Sequence, residues 1–245
     1  MTPRFRVRVA AGADDLRAAA ALRHLCFVDV GGAQAGAEAD RFDDLCRHIL
    51  IDDAQGNLAG CFRFMHLTSG AQVALSYSAS AYDLSVLSTY PHPMLELGRF
   101  CVAPDLAHDG DVLRLAWGAL ARLVDDGGVG MLFGCASFQG TDAAVYADAL
   151  ALLAQHHVGP ENMRPAVKAP DTIAFDASRQ PDPHRATAQL PPLLRTYLGM
   201  GGWVGDHAVV DAAMNTLHVF TALEIAAIPQ SRARALRAIA DTVTL

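Results

Sequence analysis

The segment Met131–Phe138, MLFGCASF, limits what this chain can fold into more than any other stretch. It is nearly all apolar, bounded by glycines before and a turn after, and too short for a buried helix. It therefore reads as a strand at the centre of a sheet, covered on both faces. With 52% hydrophobic and 18% charged residues in 245 positions, the chain carries enough apolar surface to build such a core.

The flanking patterns supply the rest of the sheet. Phe5, Val7 and Val9 alternate with Arg4, Arg6 and Arg8 as in a first strand. A helix capped by Asp14 or Asp15 is expected to run to about Phe27, with Leu16, Ala20 and Leu25 facing the core. The stretch GGAQAGAEADRFDDLC has no periodicity and reads as a long loop, a frequent home of function. His48–Asp52 and Leu58–Leu67 read as a hairpin, and residues 69–94 as turns before a strand at Leu95–Val102. Asp111–Val124 and Asp142–Gln155 have helical spacing. Residues 159–189 are proline-rich and read as a surface connector with one strand at Thr172–Phe175. A C-terminal portion, 190–245, adds two strands (Val204–Val210 and His218–Leu223) between two helices. The expected fold class is α/β, a single domain over 1–245 with a mixed sheet.

Net charge is −7, and Lys168 is the one lysine beside eighteen arginines. That balance disfavours sequence-independent nucleic-acid binding, which needs many phosphate-neutralising cations. No run approaches about 18 apolar residues. The five cysteines, Cys26, Cys46, Cys61, Cys101 and Cys135, are scattered without CxxC spacing, as expected of buried thiols in a reducing cytoplasm. The ten histidines show no metal-ligand spacing.

Four polar clusters interrupt apolar structure: Arg23 four residues before Phe27, the acidic run Glu38, Asp40 and Asp43, Arg63 between Phe62 and Phe64, and Glu96 with Arg99 in LELGRFCV. In a regular strand Glu96 and Arg99 point to opposite faces. A bulge near Gly98 would change that phase and free backbone N–H groups for a ligand.

These clusters, R-x-x-x-F, D-x-x-D, a strand arginine and E-x-x-R, stand in the order and spacing of the acyl-homoserine lactone synthases. Together with ELGRFCVAPD, LFGCASFQGTD and LPPLLRTYLGMGGWVGDHAVVD, the chain more closely resembles the related ornithine Nα-acyltransferases, from about Leu22 to Leu223. The resemblance implies a GNAT-like, mainly antiparallel sheet with splayed central strands flanked by helices. It implies an enzyme that moves a 3-hydroxyacyl group from an acyl carrier protein thioester to the α-amine of ornithine, the first step of ornithine lipid synthesis. No bound cofactor or metal is implied; the donor is the acyl-phosphopantetheine of the carrier protein. The segment VAPDLAHDGDVLRL lacks the Q/R-x-x-G-x-G/A pyrophosphate loop of coenzyme A users, which suits a carrier-protein donor.

On this reading Glu96 is the expected general base, directly or through water, with Arg99 and Arg63 orienting acidic groups. Asp40 and Asp43 would hold the acceptor loop or the acceptor's ammonium, bridged by Arg23, with Phe27 beside them. Backbone N–H groups at Phe100–Cys101 would polarise the thioester, and Ser137 is a further binding candidate at a strand end. Arg114 and Arg122 are candidates for docking the acidic carrier protein. An amphiphilic product is compatible with peripheral membrane contact. Two other readings fit the same residues: a lactone synthase or another amine acyltransferase of this fold, and a catalytically silent domain that binds an acyl carrier.

Overall fold

The computed structural model describes residues 4–245. In chain order these form β1 (Phe5–Val9), α1 (Ala13–Arg23), β2 (Arg47–Asp53), β3 (Leu58–Leu67), α2 (Ser78–Ala81), β4 (Tyr82–Asp83), β5 (Met94–Val102), α3 (Gly110–Gly127), β6 (Met131–Gln139), α4 (Ala147–His156), β7 (Ala166–Val167), β8 (Thr172–Ala174), α5 (Pro183–Gln189), α6 (Pro192–Gly199), β9 (Trp203–Asp211), β10 (Thr216–Glu224) and α7 (Gln230–Ala240). Eight strands make one sheet in the order β1-β2-β3-β5-β6-β10-β9-β8, and β4 pairs with β7 apart from it. Every neighbouring pair in the large sheet is antiparallel except β5 and β6, which α3 joins as a parallel pair.

Local chemistry explains the boundaries. The β2–β3 turn closes because the Asp53 carboxylate accepts from the backbone N–H groups of Gln55 and Asn57, at 2.9 and 2.8 Å, and Gly56 takes φ +87°. Asp109 caps α3 by accepting from Asp111 N–H at 3.0 Å, and Gly128 ends it in the left-handed conformation.

One face of the sheet carries Phe62, Phe64, Leu95, Leu97 and Leu132 against Val112, Ala116, Trp117 and Leu120 of α3. On the other face, Ala19 and Leu22 of α1 cover Leu50, Cys61 and Cys101. The segment between β3 and β5 covers the rest of that face, through Val73, Tyr82 and Leu87 on Met65, Met94 and Phe133.

Two expectations need correction. Helix α1 starts from Gly12 without a side-chain cap; Asp15 instead accepts from Arg8 and from Ala11 N–H. Leu16 and Leu25 are 42% and 41% exposed, because the buried stripe is Ala19, Leu22 and Arg23 and the chain widens into a π-helical turn over His24–Val30. Within 159–189, the strand expected at Thr172–Phe175 forms as β8 and makes the far edge of the sheet, with Ile173 opposite Ala208.

The feature that positions the site is the junction of β5 and β6. Their ladder runs from Met94 opposite Met131 to Leu97 opposite Gly134 and stops there. Beyond it, β5 keeps to β3 and β6 to β10. Opposite Phe62, β5 holds two residues, Arg99 and Phe100, with Arg99 at φ 52°. This is a β-bulge, and it bends β5 away from β6. Gly134 is needed where the strands part, since a Cβ there would lie 2.4 Å from the Leu97 carbonyl oxygen. The variant Gly134→Val should lose roughly 1–3 kcal/mol through this overlap, read as a lower melting temperature, with acyl transfer falling alongside.

Candidate active site

A cavity of about 510 Å³ fills the gap between the separated strands. Leu97 and Phe100 of β5, Cys135–Gln139 of β6 and Leu113 of α3 line it, and it reaches Ala107–Gly110 on one side and Tyr77, Asp211 and His218 on the other. The sheet is thus open at its centre, between a mostly apolar half beside α3 and α6 and a polar half on the α1 side.

The bulge decides the polar half. After it, Arg99 shares a face with Glu96, while Phe100 turns to the opposite face and stacks on Phe62 at 6.1 Å between centroids. Arg99 donates to the Asp40 carboxylate at 2.8 Å and to the carbonyls of Ala37 and Glu38, both at 3.2 Å. Arg63, 2% exposed, donates to Asp40 at 2.6 and 2.8 Å and to Asp43 at 2.7 Å. Arg23, 4% exposed, donates to Asp43 at 2.6 and 3.2 Å. Three guanidinium groups therefore meet two aspartates, and the Glu96 carboxylate behind them supplies a third negative charge. Burial would raise the Asp43 pKa, but the hydrogen bonds from Arg23 and Arg63 outweigh it and hold the group at about 2.

Glu96 differs from expectation. It is 4% exposed and absent from the cavity wall. Its oxygens accept from Tyr77 N–H at 2.8 Å, Ser78 N–H at 2.7 Å and the Ser78 hydroxyl at 2.6 Å. Burial pushes its pKa up, opposed by these hydrogen bonds. The carboxylate thus anchors the turn that presents Tyr77. The Tyr77 ring lies under the Arg99 and Arg63 guanidinium groups, at 5.1 and 5.8 Å, and meets Phe42 edge-on at 5.6 Å.

Phe27, Arg63, Arg99, Phe100 and Ser137 line the cavity as expected candidates; Arg23, Asp40, Asp43, Glu96 and Cys101 stand behind its wall. The Cys101 thiol is buried against Cys61, with sulfurs 3.5 Å apart, so only its backbone is close to the bulge. Sequence reasoning missed Tyr77, Asp211 and His218. Tyr77 lies in a turn-rich segment, and Asp211 and His218 flank a hairpin turn far along the chain. A histidine inside the apolar run of β10 was the available signal.

His218 is 3% exposed. The Tyr82 hydroxyl donates to the His218 carbonyl at 2.8 Å and lies 3.2 Å from its Nδ1. Tyr82 has one proton, so Nδ1 must be the donor to Oη, which leaves Nε2 as the acceptor of a neutral ring. Burial, opposed by the nearby Asp211 charge and aided by those of Arg99 and His207, lowers the His218 pKa to about 4.

Two stability predictions follow from these shifts. Asp43→Asn strips charge from two buried arginines and should cost about 3–5 kcal/mol, measured by urea unfolding. For His218, the unfolded ring takes up a proton near 6.5 while the folded ring stays neutral until about 4. Stability should therefore fall as pH drops through that window, and His218→Gln should lose less between pH 7.5 and 4.5 than the parent chain.

Comparison with known proteins places this geometry. Residues 22–118 match the family model described as acetyltransferase (GNAT) domain. A protein of Rhodobacter capsulatus named L-ornithine N(alpha)-acyltransferase is 34% identical over 239 residues, covering 92% of each chain. One of the same name from Rhizobium meliloti is 32% identical, over 90% of this chain and 80% of its own. Among solved structures, the CoA-dependent acyl-homoserine lactone synthase BjaI superposes with a TM-score of 0.51 at 13% identity, covering 98% of this chain and 88% of that one. FeeM, an N-acyl amino acid synthase from uncultured soil microbes, gives 0.50 at 10% identity, over 92% and 94%. These structural likenesses establish the fold, a mixed sheet of the GNAT type.

Proposed function

The chain belongs to the L-ornithine N(alpha)-acyltransferase family, and from that premise we propose that it moves a 3-hydroxyacyl group from the thioester of an acyl carrier protein to the α-amine of ornithine. The observation that carries this reading is the cavity at the parted strands, where an acyl thioester from the α3 side and an amine from the Tyr77–Arg99 side can meet. In the reaction the amine nitrogen bonds to the acyl carbon and the carbon–sulfur bond breaks. The α-ammonium gives up two protons in all, one to the leaving thiolate and one to solvent. The residues beyond Leu97 on β5 and Gly134 on β6 have no partner across the gap, so their edges offer backbone groups to an extended donor arm, and the bulge at Arg99–Phe100 brings such groups next to the thioester.

The carrier-protein donor finds support at the start of α3. In that place Asp109 turns its carboxylate onto Asp111 N–H and pairs with Arg4 at 2.5 Å. A helix start already capped by an aspartate repels a pyrophosphate, and a carrier-protein arm brings a single phosphodiester instead. Arg114 and Arg122, expected to face the carrier, are exposed on α3, each paired with an acid of its own helix at 3.1 Å. Among the described residues no helix is long and apolar enough to cross a membrane.

Within this reaction Glu96 acts as a positioning residue: it fixes Tyr77, and Tyr77 with Asp40 fixes Arg99. Incubating the purified protein with 3-hydroxyacyl carrier protein, a mixture of amino acids and S-adenosylmethionine should yield acyl-ornithine by mass spectrometry; a lactone, or an acylated amine other than ornithine, would overturn the acceptor. Glu96→Gln should lower kcat roughly 100-fold through misplacement while leaving the shape of the pH–rate profile unchanged. Loss of the ascending limb would instead make Glu96 the base.

A further inference from the structure

The carboxylates of Asp40 and Asp43 are occupied by three arginines, so they are poor candidates to receive a substrate cation. Among the described residues, the cavity wall itself holds two carboxylates, Asp109 and Asp211. Asp109 is paired with Arg4. Asp211 accepts from Met214 N–H through Oδ1 at 3.0 Å and has no arginine or lysine within 4.0 Å among the described residues. Its second oxygen is uncommitted.

A second acceptor stands beside it. Asp211 is opposite Thr216, and His218 is two residues further along β10, on the same face. His218 is nearly fully buried yet lines the cavity, and its Nε2 is an acceptor without a donor among the described residues. Ser137 is its direct neighbour across β6. This wall of β6, β10 and β9 therefore presents one uncompensated negative charge and one unpaired imidazole lone pair. The facing wall presents Arg99 and Tyr77.

We propose that Asp211, with the Nε2 of His218, binds the side-chain ammonium of the acceptor and so selects a diamino acid, a specificity that rests on the functional reading above. The dimensions agree. The reacting α-amine must lie at the gap between β5 and β6. An ornithine side chain extends about 5 Å from α-carbon to terminal nitrogen, close to the spacing of about 4.8 Å between neighbouring strands. With the α-carbon over β6, the terminal ammonium lies over β10 beside His218, and Asp211 reaches it from β9 with its own side chain across the last strand spacing, while Arg99 faces the α-carboxylate.

The test compares L-ornithine with L-norvaline, which has the same carbon skeleton and no terminal amine, both with a 3-hydroxyacyl carrier protein donor. The parent enzyme should prefer ornithine by at least about 100-fold in kcat/KM. Asp211→Asn keeps the Oδ1 that receives Met214 N–H, so it should melt like the parent. Its KM for ornithine should rise roughly 10- to 100-fold, while norvaline, which has no group for this subsite, loses far less, collapsing the preference. Asp211→Glu, which keeps the charge one methylene away, should be intermediate and serves as the deciding variant if the asparagine form does not fold. An enzyme that acylates ornithine and keeps its preference in these variants overturns the ammonium subsite alone. An enzyme that acylates some other amine and not ornithine overturns the functional reading, and the subsite with it.

Discussion

The contact on which the site depends is the buried meeting of Arg23, Arg63 and Arg99 with Asp40 and Asp43. Burying so many charges is costly unless each is paired and hydrogen-bonded. Here the pairing ties four pieces of chain together: the end of α1, the acidic loop, the middle of β3 and the bulge of β5. The loop buries few apolar side chains of its own, chiefly Phe42 with Ala33 and Cys46. It holds its shape because the Asp40 carboxylate also accepts from Phe42 N–H and Asp43 accepts from Asp40 N–H. The same cluster holds Arg99 at its positive φ, a conformation that a side chain bears only when its surroundings impose it.

From that contact the cavity follows. The bulge bends β5, β6 follows β10 instead, and the parted edges leave space that no side chain fills. Glu96 contributes from behind the wall by anchoring Tyr77, whose ring supports Arg99. The residues that carry charge near the reaction thus form two shells: an inner set that reaches the cavity, and an outer set whose work is to hold the inner set still.

Much of the framework was legible from periodicity. The β2–β3 hairpin, the all-apolar β6, helix α3 and the terminal strands stand where alternation and glycine or proline punctuation put them, because those signals are local. The first helix was misjudged at Leu16 and Leu25, since the widened turn at His24–Val30 rotates the face that meets the sheet, and nothing in the local pattern announces it. The four motif clusters, together with Phe100, Cys101 and Ser137, were legible as candidates. Their division was not: Phe27, Arg63, Arg99, Phe100 and Ser137 reach the cavity, whereas Arg23, Asp40, Asp43, Glu96 and Cys101 do not.

By itself the sequence determined the order of the large sheet's strands and of α1, α3, α4, α6 and α7, the family, and a bulge near Gly98, all properties of short stretches and of their spacing; it did not give α2, β4, β7 or α5. Only the tertiary structure decided the phase of that bulge, and with it that Arg99 joins Glu96 on one face. It alone brought Tyr77, Asp211 and His218 to the same cavity, because strand pairing joins residues more than a hundred positions apart. Which carboxylate is free to meet a substrate is likewise a matter of how many cations surround it. That balance exists only once the chain has folded.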